Sequence, residues 1–276
     1  MYKLLVTDVD ETLITSEGNI SDKNIEYLNN LDDFGIKIII ASGRRFEDFQ
    51  TILKKLNLDD KENNYSISFN GGVTTENKNN RIINQTNLND AYVKQLFEIG
   101  RELDVLIHVF SLSHIYTYRM NQSEHDFLDD PEKLTLIDDL NHTPFTDDII
   151  LKVNFQSDDM SKLQAIEASL PEELKQQLDI NYSSARYLEF NPLGVNKGRA
   201  LKELSEELGI KPEEIIAIGD NMNDRTMIDF AGTGIAVANA VPELKEKADY
   251  ICTNDHNNSA VAEAIEHFIL KKARTA

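Results

Sequence analysis

The sequence predicts an α/β fold: a doubly wound, Rossmann-like core built on a parallel sheet, with a smaller α+β domain inserted into it. Short apolar runs alternate with amphipathic helical patterns near both ends of the chain, which is typical of βαβ units. These runs are continuous rather than alternating, as expected for strands that are buried on both faces of a parallel sheet. Between them, neighbouring strands joined by short turns predict a second sheet of its own.

Composition limits the classes of partner. The 276 residues include 28 basic and 48 acidic side chains, for a formal net charge of −20. Such a chain repels nucleic acid phosphates and anionic membranes, so we expect neither as a partner. The single cysteine, Cys252, excludes an intrachain disulfide. Since no apolar run is long enough to span a bilayer and no leader pattern precedes the first strand, we expect a cytoplasmic protein.

The N-terminal part of the core predicts a βαβαβ order. A buried strand begins at Lys3 and ends at two aspartates, Asp8 and Asp10. Ser21 is a suitable N-cap for a helix through Phe34, and Gly35 a suitable residue to end it. The elements predicted next are a strand over 36–41, a helix over 46–56, a strand over 65–69 and a hairpin over 73–83.

The periodicity then changes, which predicts an inserted α+β domain over 84–190 and a discontinuous core of 1–83 and 191–276. The elements predicted in the insertion are helices over 90–103 and 161–170 and strands over 105–110, 115–118, 149–155, 179–183 and 186–190. The core resumes with a helix over 197–208, strands over 215–218, 234–237 and 250–253, and a closing helix over 259–270.

Polar side chains follow several core strands at the point where each strand ends. Because parallel strands end at a shared edge, these groups are expected to converge on one site. They are Asp8 and Asp10, Ser42, Asn70, and the group Asp220, Asn223 and Asp224.

Four carboxylates grouped at one edge require a hard cation, and oxygen ligands favour Mg²⁺. Lys197 opens the helix before the Asp220 strand and faces the same edge. Together with a hydroxyl and backbone amides, these groups predict a phosphate receptor. An aspartate can act there as a nucleophile, and a second carboxyl nearby can act as general acid and then as general base.

Five motifs occur in the order and spacing of a known family: Asp8–Leu13, Ala41–Arg44, Asn70–Gly72, Asn196–Gly198 and Gly219–Asp224. With them, the chain resembles the haloacid dehalogenase-like phosphohydrolases, and specifically the Cof-type branch with a large α/β (class IIB) cap after the third strand.

The resemblance implies a role for each matching residue. Asp8 would be the nucleophile, Asp10 the general acid and base, and Lys197 the cation that steadies both nucleophile and phosphoryl group. Mg²⁺ would be held by Asp8, by the backbone carbonyl of Asp10, by Asp220, and by Asp224 either directly or through water. The phosphate-binding residues would be Ser42, Gly43, Arg44, Asn70, Gly71 and Asn223.

The resulting hypothesis is a Mg²⁺-dependent phosphatase that acts on small phosphorylated metabolites through an aspartyl phosphate. Cap residues around Arg186 and Tyr187 would choose the substrate. A phosphomutase, a receiver phosphorylated on Asp8 and a non-catalytic metabolite-binding protein stay open as alternatives. Glu11 replaces the glycine usual in this branch, and we expect it to point outward because glutamate side chains are usually exposed. An inward carboxylate would weaken phosphate binding or require a second cation.

Overall fold

The computed structural model describes residues 1–128, 130–138 and 148–270, and the chain divides into two compact units. The core unit comprises residues 1–85 and the chain from Asn196 onward, and the inserted unit comprises Thr86–Val195. Each unit has its own hydrophobic core.

The described residues form fourteen strands. They are β1 (Leu4–Asp8), β2 (Lys37–Ala41), β3 (Tyr65–Ser68), β4 (Val73–Glu76), β5 (Arg81–Gln85), β6 (Leu106–Ser111), β7 (Ile115–Tyr118), β8 (Thr135–Ile137), β9 (Ile150–Gln156), β10 (Leu178–Ser183), β11 (Tyr187–Pro192), β12 (Ile215–Gly219), β13 (Thr233–Ala236) and β14 (Tyr250–Ile251).

The same residues contain ten α-helices. They are α1 (Asp22–Asn29), α2 (Gln50–Lys55), α3 (Asp90–Glu102), α4 (Gln122–Phe127), α5 (Met160–Ser169), α6 (Glu172–Lys175), α7 (Lys197–Leu208), α8 (Arg225–Phe230), α9 (Pro242–Lys245) and α10 (Ala260–Ile265).

The sheet of the core unit has the strand order β14-β13-β12-β1-β2-β3-β4-β5. The pairings from β14 through β3 are all parallel, and β4 and β5 add an antiparallel hairpin. All five residues of β1 are buried, as are those of β12. The predicted parallel α/β core is therefore confirmed, and β1 lies at its centre with β12 and β2 on either side.

The first two predicted helices of the core unit are shorter than expected. Ser21 does cap α1 and Gly35 does adopt a left-handed conformation, but residues 30–34 form a 3₁₀ helix. Asn and Asp, which are frequent there, compete with helical hydrogen bonding. Residues 46–49 also form a 3₁₀ helix before α2. This geometry brings side chains three apart into register, and it packs Phe46 against Phe49 with ring centroids 5.5 Å apart.

The sheet of the inserted unit has the order β10-β11-β9-β6-β7-β8. Its pairings are antiparallel except for β7 with β8. Helices α3 and α5 supply Phe97 and Leu163 to a core that also contains Phe155 and Phe190. The α+β class predicted for the insertion is confirmed. Among the described residues, no helix is long and apolar enough to cross a membrane.

Candidate active site

The site is built where the two central strands end. β1 ends at Asp8, and the neighbouring β12 ends at Gly219, directly before Asp220. A short turn then brings Asp224 back toward both. Carboxylate oxygens of Asp8, Asp220 and Asp224 lie within 4.8 Å of one another, and all three residues are buried.

Lys197 lies among these carboxylates and is fully buried. Its Nζ donates a hydrogen bond to Oδ1 of Asp8 and another, of 2.6 Å, to Oδ1 of Asp224. The backbone carries it there because Lys197 is the first residue of α7, which Asn196 caps by accepting from the Arg199 amide at 2.8 Å. One ammonium therefore serves two of the three buried carboxylates.

Burial and crowding perturb the titration of these groups. Burial raises the pKa of Asp8 well above its usual value, and the charge of Asp224 raises it further, while Lys197 acts in the opposite direction. Burial and the charge of Asp224 likewise raise the pKa of Asp220, to about 7. For Lys197 burial alone would lower the pKa, but Asp224 and Asp8 outweigh it and the pKa is raised. The Lys197 ammonium therefore stays charged, but its single positive charge does not balance the carboxylates around it.

Asp224 holds the turn together as well as facing Lys197. Its Oδ2 accepts from the backbone amides of Asp220 at 2.9 Å and Asn221 at 3.2 Å. The carboxylate also packs on Gly219, where a Cβ would lie 2.5 Å from Oδ2. Only glycine fits at that position without moving Asp224.

The cluster fits a divalent cation. Three buried carboxylates and one ammonium leave two negative charges unneutralised, which a divalent ion would balance. Oδ2 of Asp8 and Oδ2 of Asp220 accept no hydrogen bond from the described part of the chain, while Oδ1 of Asp220 accepts from Thr12 at 2.9 Å. The donor set consists of carboxylate oxygens, with neither histidine nor cysteine, and such a set suits Mg²⁺ and similar hard ions.

Asp10 is oriented differently from Asp8. Its carboxylate is outside the group formed by the three buried aspartates, and both of its oxygens accept hydrogen bonds from Arg44. The bonds run from Nε to Oδ2 at 3.0 Å and from Nη2 to Oδ1 at 2.5 Å. The structure therefore pairs two predicted site residues with each other.

The remaining predicted residues lie at the ends of β2 and β3. Ser42 is buried after β2, and its Oγ accepts from the Arg44 amide at 3.1 Å. The Asn70 side chain packs against Gly43, 3.1 Å from where a Cβ would lie, and its Oδ1 accepts from Nδ2 of Asn223 at 3.1 Å. This bond joins the turn after β3 to the turn after β12.

Gly71 has a steric role. Its φ of +101° is a left-handed conformation, and a Cβ there would lie 2.3 Å from the carbonyl oxygen of Asn196. The glycine lets the turn after β3 approach the start of α7, which carries Lys197. A second glycine, Gly198, lets the same helix approach Thr226, whose carbonyl oxygen would be 2.3 Å from its Cβ.

Comparison with known proteins agrees with this architecture. A family model described as haloacid dehalogenase-like hydrolase matches residues 5–265. The chain belongs to this family. The family predicted from the motifs is therefore confirmed, and so is the hydrolase class.

Individual relatives of this hydrolase match over nearly the whole chain. YxeH of Bacillus subtilis is 31% identical over 99% of this chain and 100% of its own length. YcsE of the same organism, a 5-amino-6-(5-phospho-D-ribitylamino)uracil phosphatase, is 28% identical over 97% of this chain and 96% of its own. A solved haloacid dehalogenase-like hydrolase from Bacteroides thetaiotaomicron is 31% identical and superposes with a TM-score of 0.84, covering 98% of this chain and 100% of that one.

Glu11 of this hydrolase is exposed, as expected for an outward side chain. Its backbone has a φ of 55°, the left-handed conformation that favours glycine. The Glu11 carbonyl accepts from Nδ2 of Asn239 at 2.8 Å, and the Glu11 charge contributes to the raised pKa of Asp220, after burial and Asp224.

Sequence reasoning assigned no role to Thr12, Asn239 or Thr226, although each fixes a site loop. Thr12 lies inside a recognised motif and could have been found from it. Asn239 and Thr226 are ordinary surface-type residues in the sequence, and only the fold brings them to the site.

Arg186 and Tyr187 of the inserted unit take part in a buried network. Oε1 of Glu124, on α4, accepts from Tyr187 at 2.6 Å and bonds Nε2 of His108 at 2.9 Å. Its Oε2 accepts from Nη2 of Arg186 at 2.8 Å. Burial acts to raise the pKa of Glu124, but the hydrogen bonds from His108 and Tyr187 outweigh burial and lower it. Both predicted specificity residues thus anchor α4.

Proposed function

We propose that this hydrolase is a Mg²⁺-dependent phosphatase that acts on small phosphorylated metabolites through a phosphorylated Asp8. The observation that carries the proposal is the group of three buried carboxylates around the buried Lys197 ammonium. A divalent ion bound there and the Lys197 ammonium would supply the positive groups that a phosphate monoester needs in a chain with a net charge of −20.

The ion would be held by the carboxylates of Asp8 and Asp220 and by the backbone carbonyl of Asp10. Asp224 would contribute its negative charge next to the ion, because its own oxygens already accept hydrogen bonds from Lys197 and the turn amides. When bound, the ion supplies positive charge that neutralises the phosphoryl oxygens and screens them from the attacking carboxylate.

In the first step a carboxylate oxygen of Asp8 attacks phosphorus. The bond between phosphorus and the ester oxygen breaks, and its electron pair stays on that oxygen. The leaving oxygen takes the proton of the Asp10 carboxyl group and departs as an alcohol. Asp8 then carries the phosphoryl group and Asp10 is ionised.

In the second step Asp10 acts as general base. Its carboxylate takes a proton from water while the water oxygen attacks phosphorus. The bond between phosphorus and Asp8 breaks with its electron pair, so phosphate leaves, Asp8 regains its carboxylate and Asp10 regains its proton.

Several residues of the core unit are placed to hold the phosphoryl group. Lys197 offers its ammonium beside Asp8, and the Ser42 hydroxyl, which accepts from the Arg44 amide, still has its own proton to donate. The proposed set is completed by the backbone amides of Gly43 and Gly71 and by the side-chain amides of Asn70 and Asn223. Fixed donors of this kind stabilise charge as it develops in the transition state.

The substrate class proposed is a phosphate monoester on a sugar, sugar alcohol or cofactor precursor. The name of YcsE describes a phosphate ester on a ribityl chain, which belongs to this class. We assign substrate choice to the inserted unit, which corresponds to the cap expected from the family resemblance.

The test is phosphate release from a panel of sugar and cofactor monoesters, with Mg²⁺ or with EDTA. We expect release that depends on Mg²⁺ and that falls by at least about 1000-fold in Asp8→Asn, because the nucleophile is lost. Asp33→Asn, the same substitution at an exposed aspartate of the 3₁₀ helix over 30–34, is the matched control and should keep wild-type activity. Release that survives Asp8→Asn would overturn the assignment, and an isomerised sugar phosphate without free phosphate would indicate a mutase instead.

A further inference from the structure

The family resemblance implies that Arg44 binds phosphate, yet its guanidinium donates two hydrogen bonds to Asp10. Nε and Nη2 donate to the two different oxygens of the Asp10 carboxylate, at 3.0 Å and 2.5 Å. Two parallel hydrogen bonds between a guanidinium and a carboxylate fix the plane and direction of the carboxylate, whereas a single hydrogen bond does not. Asp10 is the residue to which the proposed function gives both proton transfers.

The backbone of Arg44 is fixed from two sides. Its amide donates to Oγ of Ser42 at 3.1 Å, and its carbonyl accepts from the Phe69 amide at 3.0 Å. Ser42 is itself held, because its amide donates to the Ile67 carbonyl at 2.8 Å. The arginine therefore projects from a rigid junction between the turns after β2 and β3.

Among the described residues, no side chain other than Arg44 hydrogen-bonds to the carboxylate of Asp10. Asp10 lies in a tight turn, which the amides of Leu13 and Ile14 close by donating to the Val9 carbonyl, both at 3.0 Å. Its side chain is 49% exposed, so packing does not select its rotamer. Within the described part of the chain, both hydrogen bonds to its carboxylate come from Arg44.

We propose that Arg44 is a positioning residue that orients the carboxyl group of Asp10 for proton transfer, and that it is not a phosphate ligand. The proposal rests on the phosphatase function proposed above. A misdirected general acid fails most where the leaving oxygen is strongly basic, since a weakly basic oxygen departs without a proton. The identity of the leaving group therefore separates the two roles of Arg44.

The experiment compares kcat/KM for glycerol phosphate, whose leaving alcohol is strongly basic, with kcat/KM for para-nitrophenyl phosphate, whose leaving phenol is weakly basic. In Arg44→Gln and Arg44→Lys we expect about a 10- to 100-fold loss with glycerol phosphate and less than about a threefold loss with the aryl ester. Arg44→Lys should lose as much activity with glycerol phosphate as Arg44→Gln, because lysine keeps the positive charge but cannot make the paired hydrogen bonds of a guanidinium. Inhibition by inorganic phosphate should be unchanged.

Three further variants complete the design: Asp10→Asn, its combination with Arg44→Gln, and Arg45→Gln. In Asp10→Asn, adding Arg44→Gln should cause no further loss, because Arg44 acts through Asp10. Arg45→Gln is the matched control: Arg45 makes the same two-bond pair with Asp48, at 3.0 Å and 2.7 Å, one residue away. It should leave the ratio of the two esters at the wild-type value.

Three outcomes would overturn the positioning role while leaving the phosphatase proposal intact. Equal losses with both esters, together with weaker inhibition by phosphate and retained activity in Arg44→Lys, would make Arg44 a phosphate ligand. A further loss on adding Arg44→Gln to Asp10→Asn would show that Arg44 acts independently. Wild-type activity in both Arg44 variants would reduce the pair to a surface contact. If the wild-type chain cleaves neither ester nor any other monoester, the phosphatase proposal itself fails.

Discussion

At the scale of single residues, Lys197 determines whether three carboxylates can share one buried site. It is fully buried and bonds Asp8 and Asp224 directly. Removing one partner of a buried ion pair leaves an unpaired buried charge, which typically lowers the free energy of unfolding by about 3–5 kcal/mol. The same ammonium lies beside the proposed nucleophile, so it bears on stability and on activity together.

We predict that Lys197→Met lowers kcat/KM by about 100-fold or more, because a fixed charge beside the phosphoryl group is lost. Methionine keeps the apolar stem and removes only the ammonium. Metal-free Lys197→Met should also unfold at a lower temperature than wild type, as measured by calorimetry. Lys202→Met, on the same helix with a side chain 58% exposed, is the control and should change neither quantity. Full activity in Lys197→Met would contradict the assignment.

At the scale of elements, two turns bring α7 to the ends of the strands. Gly71 touches the Asn196 carbonyl, and Gly198 touches Thr226. Neither glycine needs to contact a ligand to be essential, because each permits an approach that a Cβ would block. The position of Lys197 therefore depends on glycines that lie outside the cluster of charges.

Gly71→Ala should destabilise the chain by about 2–5 kcal/mol, the sum of left-handed strain and overpacking against Asn196. Gly209→Ala provides the control, because Gly209 also has a positive φ, +66°, but nothing lies within 4 Å of its Cβ position. Gly209→Ala should lower the free energy of unfolding by about 1 kcal/mol, from backbone strain alone. Urea unfolding measures both. Equal costs for the two variants would show that the contact with Asn196 does not matter.

In the inserted unit, Glu124 ties α4 to the sheet through His108, Arg186 and Tyr187. Glu124→Ala should lower the free energy of unfolding by about 3–5 kcal/mol, because it leaves buried hydrogen-bond donors without an acceptor. Because the pKa of Glu124 is lowered in the folded state, this contribution is present at neutral pH and is lost as the pH falls below the ordinary range of a glutamate. Asp126→Ala, an exposed acid on the same helix, should be nearly neutral. Similar unfolding midpoints for the two variants would refute the anchoring role.

Sequence pattern predicted the elements of the core well, because buried parallel strands are continuous apolar runs and their ends are polar. It failed where local geometry overrides periodicity. The helix expected over 46–56 begins as a 3₁₀ helix so that Phe46 can meet Phe49. The closing helix, expected over 259–270, changes at Ile265 to a π-helical segment, Glu266–Leu270.

The convergence of Asp8, Lys197, Asp220 and Asp224 could be predicted because strand order in a parallel sheet places strand ends side by side. The pairing of Arg44 with Asp10 could not. Both residues were expected at the site, but which of two nearby anions an arginine binds depends on side-chain geometry. Asn239 was beyond prediction for a related reason: its partner is a backbone carbonyl 228 positions away.

At the scale of the whole molecule, the acidic cluster links folding to pH and to metal. The pKa of Asp220 is raised to about 7. Between the ordinary pKa range of an aspartate and about pH 7, Asp220 therefore holds a proton in the folded chain that it has released in the unfolded chain. Stability of the metal-free chain should therefore fall as the pH rises through about 7, and Mg²⁺, which competes with that proton, should stabilise more as the pH rises.

Melting temperatures of the metal-free chain should accordingly drop by a few degrees between about pH 5 and about pH 8. The increase caused by Mg²⁺ should grow over the same interval. Asp220→Asn removes the titrating group, so its metal-free melting temperature should depend less on pH. A wild-type profile that rises with pH, or one that Asp220→Asn leaves unaltered, would contradict this linkage.

Transfer of the phosphoryl group to Asp8 is the step on which the proposed mechanism depends. The most direct measurement is peptide mass spectrometry of Asp10→Asn, acid-quenched while it reacts with para-nitrophenyl phosphate and Mg²⁺. The variant lacks the base that activates water, so we predict a phosphoryl group on the peptide that contains Asp8, and none when Asp8→Asn is added. Release of nitrophenol with no covalent phosphate, or with phosphate on a different peptide, would contradict the account.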